Sequence, residues 1–485
     1  LFCKLTDEKN TKKKDNYKFQ IGTHESPEEV FSRIDTIYQK AKEEDAQVFQ
    51  EDIKLKPTIV YSVVEHLQEL SLNKIDLDTK GVAFERFMQS YFRGKSGQFF
   101  TPRHVVSFCV DMMKVERSDL VLDPACGSGA FLVKAVDTLI SIYNEIQEVK
   151  ETKGVYHVTK KGQKSGIAKN ETFDKKIEME RMRGIIQNNI YGVDVNSESI
   201  EITKLSLFLK IASKNKQLIG LSQRIMNGNS LIDDKTIDEK SFNWKSNFAE
   251  ILDDDIPDNG FDIIIGNPPY VRQEKFKELK NNLKENYEIF VSTADLYTYF
   301  YECGINKLRK NGILGFISSN KFMRAKYGFQ LRNFLKYNTT LKKIIDFGDA
   351  HLFDAVTNTA IIITKKEIQN NNKFLFLKDI NSKNSVLINQ DKLDESAWTL
   401  ANKEILNVKK KIELIGIPLK EWNVKINYGL KTGFNEAYLI DTDTKMNFCK
   451  KDQKNIEIIK PIIRGRDIGK YFYKSSGLWL INPHN

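Results

Sequence analysis

The sequence predicts an α/β fold whose core is an open, mostly parallel sheet. Three short apolar runs each end in a turn, as buried strands do: Leu120-Val121-Leu122, Ile190-Tyr191-Gly192-Val193 and Ile263-Ile264-Ile265. The first run passes through a glycine-containing turn into a helix that continues to Leu139. In sheets with such strand–helix units, ligands bind at the carboxyl ends of the strands. We therefore expect functional residues in the turns that follow these runs.

Three domains are predicted along the 485 residues. Residues 1–85 show helical spacing of apolar side chains and a helix start at Ser26-Pro27. Residues 86–370 contain the strand–turn runs, and residues 371–485 are expected to form a mixed α/β domain. The polar, lysine-rich stretch 147–176 is interpreted as a surface insertion. We expect a fragment of a longer protein, because the chain begins without methionine and stops just after a strand-like run.

Composition excludes several classes of protein. The sequence has no run of 18 apolar residues and no signal-like start, so we expect neither a membrane span nor export. Its five cysteines are scattered and lack a CxxC pair, which is typical of a reduced cytoplasm. Its six histidines form no cluster, so no metal site is predicted. The predicted location is cytoplasmic.

Positive charge is concentrated near the C-terminus. The net charge is +10, and residues 403–474 alone hold 16 basic and nine acidic residues, an excess of seven. A basic surface of this kind is the electrostatic footprint of nucleic-acid binding. The alternative is a solvated lysine-rich face without a partner.

The turn after the third strand has the most specific composition. Asn267-Pro268-Pro269-Tyr270 combines an amide, two prolines that lack N–H groups, and an aromatic ring. The amide oxygen of Asn267 and the carbonyl of Pro268 can accept the two N–H bonds of an exocyclic amino group, while Tyr270 stacks on the ring that bears it. An ordinary turn after a strand is the alternative.

A second turn follows the first strand. Asp123 precedes two glycines, Gly127 and Gly129, which let the backbone approach a ligand closely. The acid comes first and the third glycine of a dinucleotide-binding loop is missing, so a cationic amino-acid ligand fits better than a phosphate. A turn without a ligand is the alternative.

Further candidates surround these two turns. Asp194 ends the second strand, where an acid can accept from ribose hydroxyls, although its distance from the glycine turn is far longer than usual. Asn229 could meet a base edge through its amide. Thr101-Pro102 gives a helix-initiation signal. Phe300 is either a ligand contact or a core residue.

Taken in order, these motifs resemble the γ class of DNA adenine-N6 methyltransferases of restriction–modification systems, including type IIG enzymes and type I modification subunits. The resemblance implies a Rossmann-like S-adenosylmethionine-dependent methyltransferase core with a seven-stranded, mostly parallel sheet. It also implies an N-terminal helical domain and a C-terminal mixed α/β target-recognition domain. It implies S-adenosyl-L-methionine as cofactor and a catalytic role for Asn267, Pro268, Pro269 and Tyr270. The implied cofactor contacts are Gln98, Thr101, Pro102, Asp123, Ala125, Cys126, Gly127, Gly129, Asp194, Val195, Asn229, Ser230 and Phe300.

DNA contacts are implied by the same resemblance. Residues 319–328 resemble the element that holds a flipped base from its second face, and the stacking residue stays open among Phe322, Tyr327 and Phe329. Residues 428–437 and 459–468 resemble target-recognition domains. The implied DNA-contacting residues are Tyr327, Lys431, Arg464 and Arg466, with phosphate contacts favoured over base contacts for the three cations.

The expected partner is double-stranded DNA with a specific adenine-containing site, together with a specificity or restriction subunit or a fused nuclease outside this fragment. A loose nuclease pattern, Pro257-Asp258 with Glu278-Leu279-Lys280, straddles the Asn267 turn and is interpreted as chance. Two other functions stay open: a methyltransferase that acts on RNA or on a protein glutamine, and a catalytically silent DNA-reading module. The intact Asn267 and Asp123 argue against the silent module.

Overall fold

The computed structural model describes residues 2–11, 15–44, 52–69, 71, 101–152, 171–211, 220–348, 358–382, 385–393, 397–401, 403–425, 429 and 435–482. The chain divides into two compact units, Leu1–Leu406 and Asn407–Asn485. The predicted boundary at residue 85 lies outside the described residues, and the sheet of the first unit continues past residue 370. The three predicted domains therefore stay a prediction.

The first unit alternates helices and strands. Its helices are α1 (Phe2–Asn10), α2 (Pro27–Glu44), α3 (Pro57–Leu67), α4 (Arg103–Met112), α5 (Ala130–Thr152), α6 (Glu171–Asn188), α7 (Ser197–Ile211), α8 (Trp244–Asn247), α9 (Ala249–Leu252), α10 (Lys280–Asn286), α11 (Tyr297–Lys307) and α12 (Phe329–Asn338). Its strands are β1 (Val121–Asp123), β2 (Ile190–Asp194), β3 (Ile225–Asn227), β4 (Phe261–Gly266), β5 (Leu308–Ser319), β6 (Thr340–Asp346), β7 (Thr359–Lys365), β8 (Lys373–Leu377) and β9 (Val386–Asn389). A further helix, α13 (Lys403–Ile415), crosses the boundary between the units.

The nine strands form one sheet in the order β3-β2-β1-β4-β5-β7-β6-β8-β9. Strands β3, β2, β1, β4 and β5 are mutually parallel, and β7 lies antiparallel between β5 and β6. The predicted α/β class with a mostly parallel sheet is confirmed, and β8 and β9 add two strands to the predicted seven. The strand order reverses between β1 and β4, and a reversal of this kind opens a ligand-binding crevice at the carboxyl ends of the strands.

The sheet is buried on both faces. Neighbouring residues of β4 pack on opposite sides, since Ile264 joins one apolar cluster while Ile263 and Ile265 join another. Strands that are covered on both faces are apolar throughout instead of alternating with polar residues. This burial explains why the three strands that precede the candidate turns were recognisable as continuous apolar runs.

The N-terminal helices have their own small core, to which Phe19, Val30 and Val64 belong. Ser26 begins α2 with a reciprocal cap, because its hydroxyl accepts from the Glu29 N–H and its own N–H donates to the Glu29 carboxylate. The predicted helical character holds for the described part of residues 1–85. The ends of the predicted insertion 147–176 belong to α5 and α6, and residues 153–170 lie outside the description.

The second unit has short elements. They are α14 (Asn435–Tyr438), β10 (Leu439–Asp441), α15 (Thr442–Lys451), α16 (Asn455–Ile458), β11 (Ile459–Pro461), β12 (Ile468–Gly469), β13 (Phe472–Tyr473) and β14 (Leu478–Ile481). Strands β10, β14 and β11 form an antiparallel sheet, and β12 pairs with β13. In the portion of the chain that the structure describes, no helix has the length and apolar character needed to cross a bilayer, and no group of side chains is arranged to hold a metal ion.

Candidate active site at the carboxyl ends of strands β1 and β4

Two turns meet where β1 and β4 end side by side. Strand β1 ends at Asp123 and strand β4 at Gly266, and the two strands are parallel neighbours. A Cβ atom at Gly266 would lie 2.5 Å from the Asp123 carboxylate, so only glycine lets the backbone pass this close to the acid. The pairing brings the predicted cofactor turn and the predicted catalytic turn together at one edge of the sheet.

Asp123 is a buried acid, and among the described residues only one of its two carboxylate oxygens accepts a hydrogen bond. Its side chain is 1% exposed, and Oδ1 accepts from the Ala125 N–H at 3.0 Å. Oδ2 is buried and has no hydrogen-bond partner among the described residues. Burial raises the pKa of this carboxyl well above its usual range, and the neighbouring charge of Asp194 raises it further. A buried acceptor of this kind suits a cationic ligand or one that donates a hydrogen bond.

The glycine turn is held by residues from two other elements. Gly127 and Gly129 adopt φ values of +53° and +80°, which favour glycine. The Gly127 N–H donates to Asp194 Oδ2 at 2.9 Å, and the Thr203 hydroxyl donates to the Gly127 carbonyl at 2.8 Å. A Cβ atom at Gly129 would lie 2.8 Å from Thr203 Cγ2. Thr203 therefore supports the turn, a role for which its position inside α7 gives no sequence signal.

Asp194 joins the glycine turn in spite of its distance in sequence. Its second oxygen, Oδ1, accepts from the Asn196 N–H at 2.8 Å, so both oxygens receive backbone donors. Burial raises its pKa, although these hydrogen bonds oppose the rise. The next residue, Val195, is about half exposed. The structure therefore places Asp194 next to Gly127, and its contact with ribose hydroxyls stays a prediction.

Asn229 and Ser230 are engaged within the protein. The Asn229 amide donates to Asp238 Oδ2 at 2.6 Å and its oxygen accepts from the Leu231 N–H at 3.1 Å. The Ser230 hydroxyl donates to the Pro124 carbonyl at 2.6 Å. Ser230 thus ties its loop to the turn that contains Ala125 and Cys126. A cofactor contact by either side chain stays a prediction.

The catalytic turn presents one unused acceptor. Asn267 Nδ2 donates to Thr101 Oγ1 at 3.0 Å, whereas Asn267 Oδ1 is buried and finds no donor in the described part of the chain. The Pro269 carbonyl accepts from the Val271 N–H at 3.0 Å, and Pro268 is buried. The Asn267 side chain is therefore fixed at its nitrogen end and free to accept at its oxygen end.

Tyr270 is linked through aromatic neighbours to residues 319–328, the segment predicted to hold a flipped base. Its ring lies edge-to-face with Tyr297 at 5.8 Å, and its buried hydroxyl has no partner in the described residues. Burial raises its pKa well above the usual range. The Tyr297 hydroxyl lies 3.2 Å from the Tyr327 hydroxyl, and burial raises the pKa of Tyr327 to about 12. Both phenols therefore stay neutral near pH 7.

The three aromatic candidates for the second face of a bound ring differ in burial. Phe322 is fully buried against Tyr301 and Trp398, with ring centroids 5.7 and 6.0 Å away, so it is a core residue. Phe329, the first residue of α12, is 40% exposed. The Tyr327 hydroxyl lies next to the Tyr297 hydroxyl, and the Tyr297 ring in turn packs against Tyr270.

A buried arginine that the sequence did not suggest shapes the loop before α12. Arg332 donates to the carbonyls of Phe322 at 2.5 Å and Ala325 at 2.9 Å. These bonds fix the backbone of the segment that was predicted to hold a flipped base.

The structure describes some of the remaining predicted contact residues and not others. Phe300 is buried in α11 as a member of the larger apolar cluster. Thr101 and Pro102 precede α4 as predicted, and the Pro102 carbonyl accepts two N–H bonds from the first turn of that helix. Gln98 and Lys431 lie outside the described residues.

The two arginines of the second unit differ in their surroundings. Arg464 donates to both carboxylate oxygens of Asp467 at 2.9 and 3.0 Å, and this pairing holds the pKa of Asp467 below its usual range. Arg466 is exposed. Since the guanidinium of Arg464 is already held in a bidentate pair, Arg466 is better placed to contact a phosphate.

The fold and this crevice define the class of protein as a Rossmann-like α/β core with a ligand crevice at the carboxyl ends of β1 and β4. Residues 188–353 match the family model described as the Eco57I restriction-modification methylase. The predicted resemblance to restriction–modification methyltransferases is confirmed by this match.

Two curated relatives extend beyond that domain. The type II restriction enzyme and methyltransferase RM.Eco57I of Escherichia coli is 29% identical over 379 residues, which cover 70% of this chain and 36% of that protein. The type II methyltransferase M.BstVI of Geobacillus stearothermophilus is 25% identical over 397 residues, covering 75% of this chain and 61% of that protein. The chain thus spans between about a third and two thirds of the length of these relatives.

A solved structure shares the fold. The DrdV–DNA complex, determined by cryo-electron microscopy, aligns with a TM-score of 0.51 at 13% identity and covers 87% of this chain and 42% of that one. This similarity concerns the fold alone.

Proposed function

We propose that the chain is a site-specific DNA methyltransferase of a restriction–modification system that modifies N6 of an adenine with S-adenosylmethionine as methyl donor. The observation that carries the proposal is the buried, unpaired Asn267 Oδ1 at the end of β4, beside the unpaired Asp123 Oδ2 at the end of β1. The match to the restriction-modification methylase family supports it. An exposed turn without a ligand would leave neither acceptor buried and unpaired.

The crevice fits the cofactor. S-adenosylmethionine carries an ammonium group, for which Asp123 Oδ2 offers an unpaired acceptor. A bound cation lowers the pKa of a neighbouring carboxyl and so favours its ionised form. A Cβ atom at Gly127 would meet nothing within 4 Å, so the glycine turn leaves room for a ligand. We assign the ammonium group, or the hydrogen bonds around it, to Asp123 and the ribose hydroxyls to Asp194. When bound, the cofactor supplies an electrophilic methyl group.

The protein side of the reaction follows from Asn267 and Pro268. An adenine must leave the duplex to reach this turn, which costs a few kcal/mol of unstacking and unpairing. Asn267 Oδ1 and the Pro268 carbonyl then accept the two N–H bonds of its amino group, which withdraws the nitrogen lone pair from conjugation with the ring. The proton leaves to water after transfer, so positioning and electrostatics carry the catalysis without a strong general base.

Aromatic residues complete the proposed base site. Tyr270 stacks on one face of the adenine, and Tyr327 is assigned to the second face because it approaches Tyr270 through Tyr297. Stacking on an aromatic ring contributes about 1–3 kcal/mol per base. In the second unit, the exposed Arg466 is assigned to a phosphate, and Lys431 keeps its predicted DNA contact.

The partners are proposed on the same basis. Double-stranded DNA with a specific adenine-containing site is the substrate. A specificity subunit, a restriction subunit or a fused nuclease would complete the system, since the protein similar to this chain in Escherichia coli is named a restriction enzyme as well as a methyltransferase.

The test is transfer of a tritiated methyl group from S-adenosylmethionine to plasmid DNA, followed by single-molecule sequencing to map the modified bases. We expect N6-methyladenine at one recurring sequence, and a roughly 100- to 1000-fold lower rate of incorporation with Asn267→Ala. Parallel reactions with RNA and with a glutamine-containing protein extract test the two other methyl acceptors. Label in either of these and none in DNA would overturn the proposal.

A further inference from the structure

We propose that Thr101 is a positioning residue that holds the Asn267 side chain in place with its amide oxygen free for the substrate. The inference rests on the proposed function and adds a residue to its catalytic machinery. Asn267 Nδ2 donates to Thr101 Oγ1 at 3.0 Å, and Thr101 is 7% exposed. This contact joins residues that are 166 positions apart in the sequence.

The orientation of the Asn267 amide has to be fixed because its two ends have nearly the same shape. Rotating the Asn267 amide by 180° exchanges its oxygen for an NH₂ group. The amino group of a bound adenine would then meet a second donor in place of an acceptor. In the structure the Thr101 oxygen accepts the Nδ2 hydrogen, and Asn267 Oδ1 lies on the opposite side, where it is buried and unpaired among the described residues. Loss of this bond would leave the amide free to rotate.

Thr101 is itself held firmly enough to keep the Asn267 side chain in place. The next residue is proline, and its carbonyl accepts the N–H groups of Val105 and Val106 at 2.9 and 3.1 Å. The buried apolar face of α4 packs into the second apolar cluster, to which Ile263 and Ile265 of β4 also belong. Thr101 and Asn267 are thus fixed at the ends of two elements that share one core.

Substitution at Thr101 separates positioning from cofactor binding. Thr101→Val keeps the shape of the side chain and removes the acceptor, so we expect kcat to fall about tenfold, as for the loss of one positioned hydrogen bond. Thr101→Ser keeps the hydroxyl and should restore kcat to within about twofold of wild type. The matched control is Thr138→Val, because the Thr138 hydroxyl is buried without a partner in the described residues and its loss should leave kcat unchanged.

A double-mutant cycle with Asn267→Ala provides the decisive comparison. If Thr101 acts through Asn267, Thr101→Val lowers kcat only while the amide is present and adds nothing in the Asn267→Ala background. The affinity for S-adenosylhomocysteine, measured by calorimetry, should stay within about twofold of wild type in every variant. If Thr101→Val unfolds the protein, Thr101→Ala is placed in the same cycle.

Each result has one meaning. An equal loss of kcat in both backgrounds, or a loss matched by weaker binding of S-adenosylhomocysteine, overturns the positioning role and leaves the methyltransferase assignment standing. A wild-type protein that methylates no DNA overturns the proposed function and this inference with it. A Thr101→Ser variant as impaired as Thr101→Val also contradicts the inference, because the hydroxyl would then not be the operative group.

Discussion

Replacing Asp123 by asparagine should stabilise the cofactor-free protein and weaken cofactor binding at the same time. The side chain is 1% exposed, and one of its oxygens has no partner in the described structure. Asparagine keeps an oxygen that can accept from the Ala125 N–H, a hydrogen bond that is 3.0 Å long in the wild-type protein. It also removes the buried negative charge. The substitution therefore removes a charge that is unfavourable without a ligand, together with the group proposed to hold the ligand.

The sign of the pH dependence follows from the direction of the pKa shift. Burial raises the pKa of Asp123, so the folded protein binds the proton more tightly than the unfolded chain does. The stability that this proton binding provides is fully present below the ordinary aspartate pKa of about 3.9. It is lost as pH rises through the raised pKa, so the free energy of unfolding falls. Asp123→Asn removes this decline, so its stabilising effect should be absent at low pH and largest near neutrality.

The change in stability and the change in ligand affinity each have an expected size. Burial disfavours the ionised carboxyl, and since a pKa difference of one unit corresponds to about 1.4 kcal/mol, we expect a gain of at least this order in the free energy of unfolding at pH 7. A charge-assisted hydrogen bond contributes about 1.5–3 kcal/mol, which corresponds to a roughly 10- to 150-fold weaker affinity for S-adenosylhomocysteine.

The assays are thermal unfolding between pH 4 and pH 8 without ligand, and calorimetric titration with S-adenosylhomocysteine at pH 7. Asp255→Asn is the matched control, since Asp255 is exposed, and neither quantity should change in that variant. An Asp123→Asn protein that is less stable than wild type at pH 7 and binds the ligand normally would refute the reasoning about this carboxylate.

Four further substitutions test other parts of the structure. Asn267→Ala should lower the methylation rate roughly 100- to 1000-fold, the effect of one positioned transition-state hydrogen bond, with little change in cofactor affinity. Gly266→Ala should destabilise the fold by about 1–3 kcal/mol and weaken cofactor binding, because its Cβ would lie 2.5 Å from the Asp123 carboxylate. Arg466→Ala should flatten the slope of log DNA affinity against log salt by about one, as for a lost phosphate contact. Arg464→Ala should lower the melting temperature and leave that slope unchanged.

Each of these changes has a contradicting outcome. A wild-type methylation rate in Asn267→Ala would remove the catalytic assignment of the turn. Gly184→Ala is the control for Gly266→Ala, because a Cβ at this helical position meets nothing within 4 Å and should stabilise the protein by about 0.5–1 kcal/mol. For the arginines, fluorescence anisotropy of a labelled duplex would contradict the assignment if Arg464→Ala changed the slope and Arg466→Ala did not.

The parts of the site that the sequence predicted are those encoded by local patterns. A buried strand followed by a glycine or proline turn has a composition of its own, so Asp123, Gly127 and Asn267 could be named from the sequence. Their proximity followed from topology, since parallel strands that lead to such turns end at the same edge of a sheet. Asp194 was placed beside the glycine turn in spite of the long stretch between them, because strand ends meet whatever the length of the connection.

The contacts that the sequence could not predict join residues far apart in the chain. Nothing in the spacing links Thr101 with Asn267 or Thr203 with Gly127, because such pairs depend on how helices pack against the sheet. The burial of Phe322 was equally undecidable, since aromatic residues line cores and ligand sites alike. The pairing of Arg464 with Asp467 is local, and an acid three residues after an arginine was a signal that the prediction of a DNA contact did not use.

The pairing of β1 with β4 also determines when the crevice can form during folding. Val121 pairs with Ile263, so the two strands are separated by about 140 residues that include β2 and β3. Non-local pairings of this kind form slowly, and a chain that is made from its N-terminus presents β1, β2 and β3 before β4 exists. Until β4 arrives, one edge of β1 has unpaired backbone groups and is open to association with other chains. A ligand held between these strands binds only molecules that have completed this step, so S-adenosylhomocysteine added during refolding should stabilise the product without accelerating its formation.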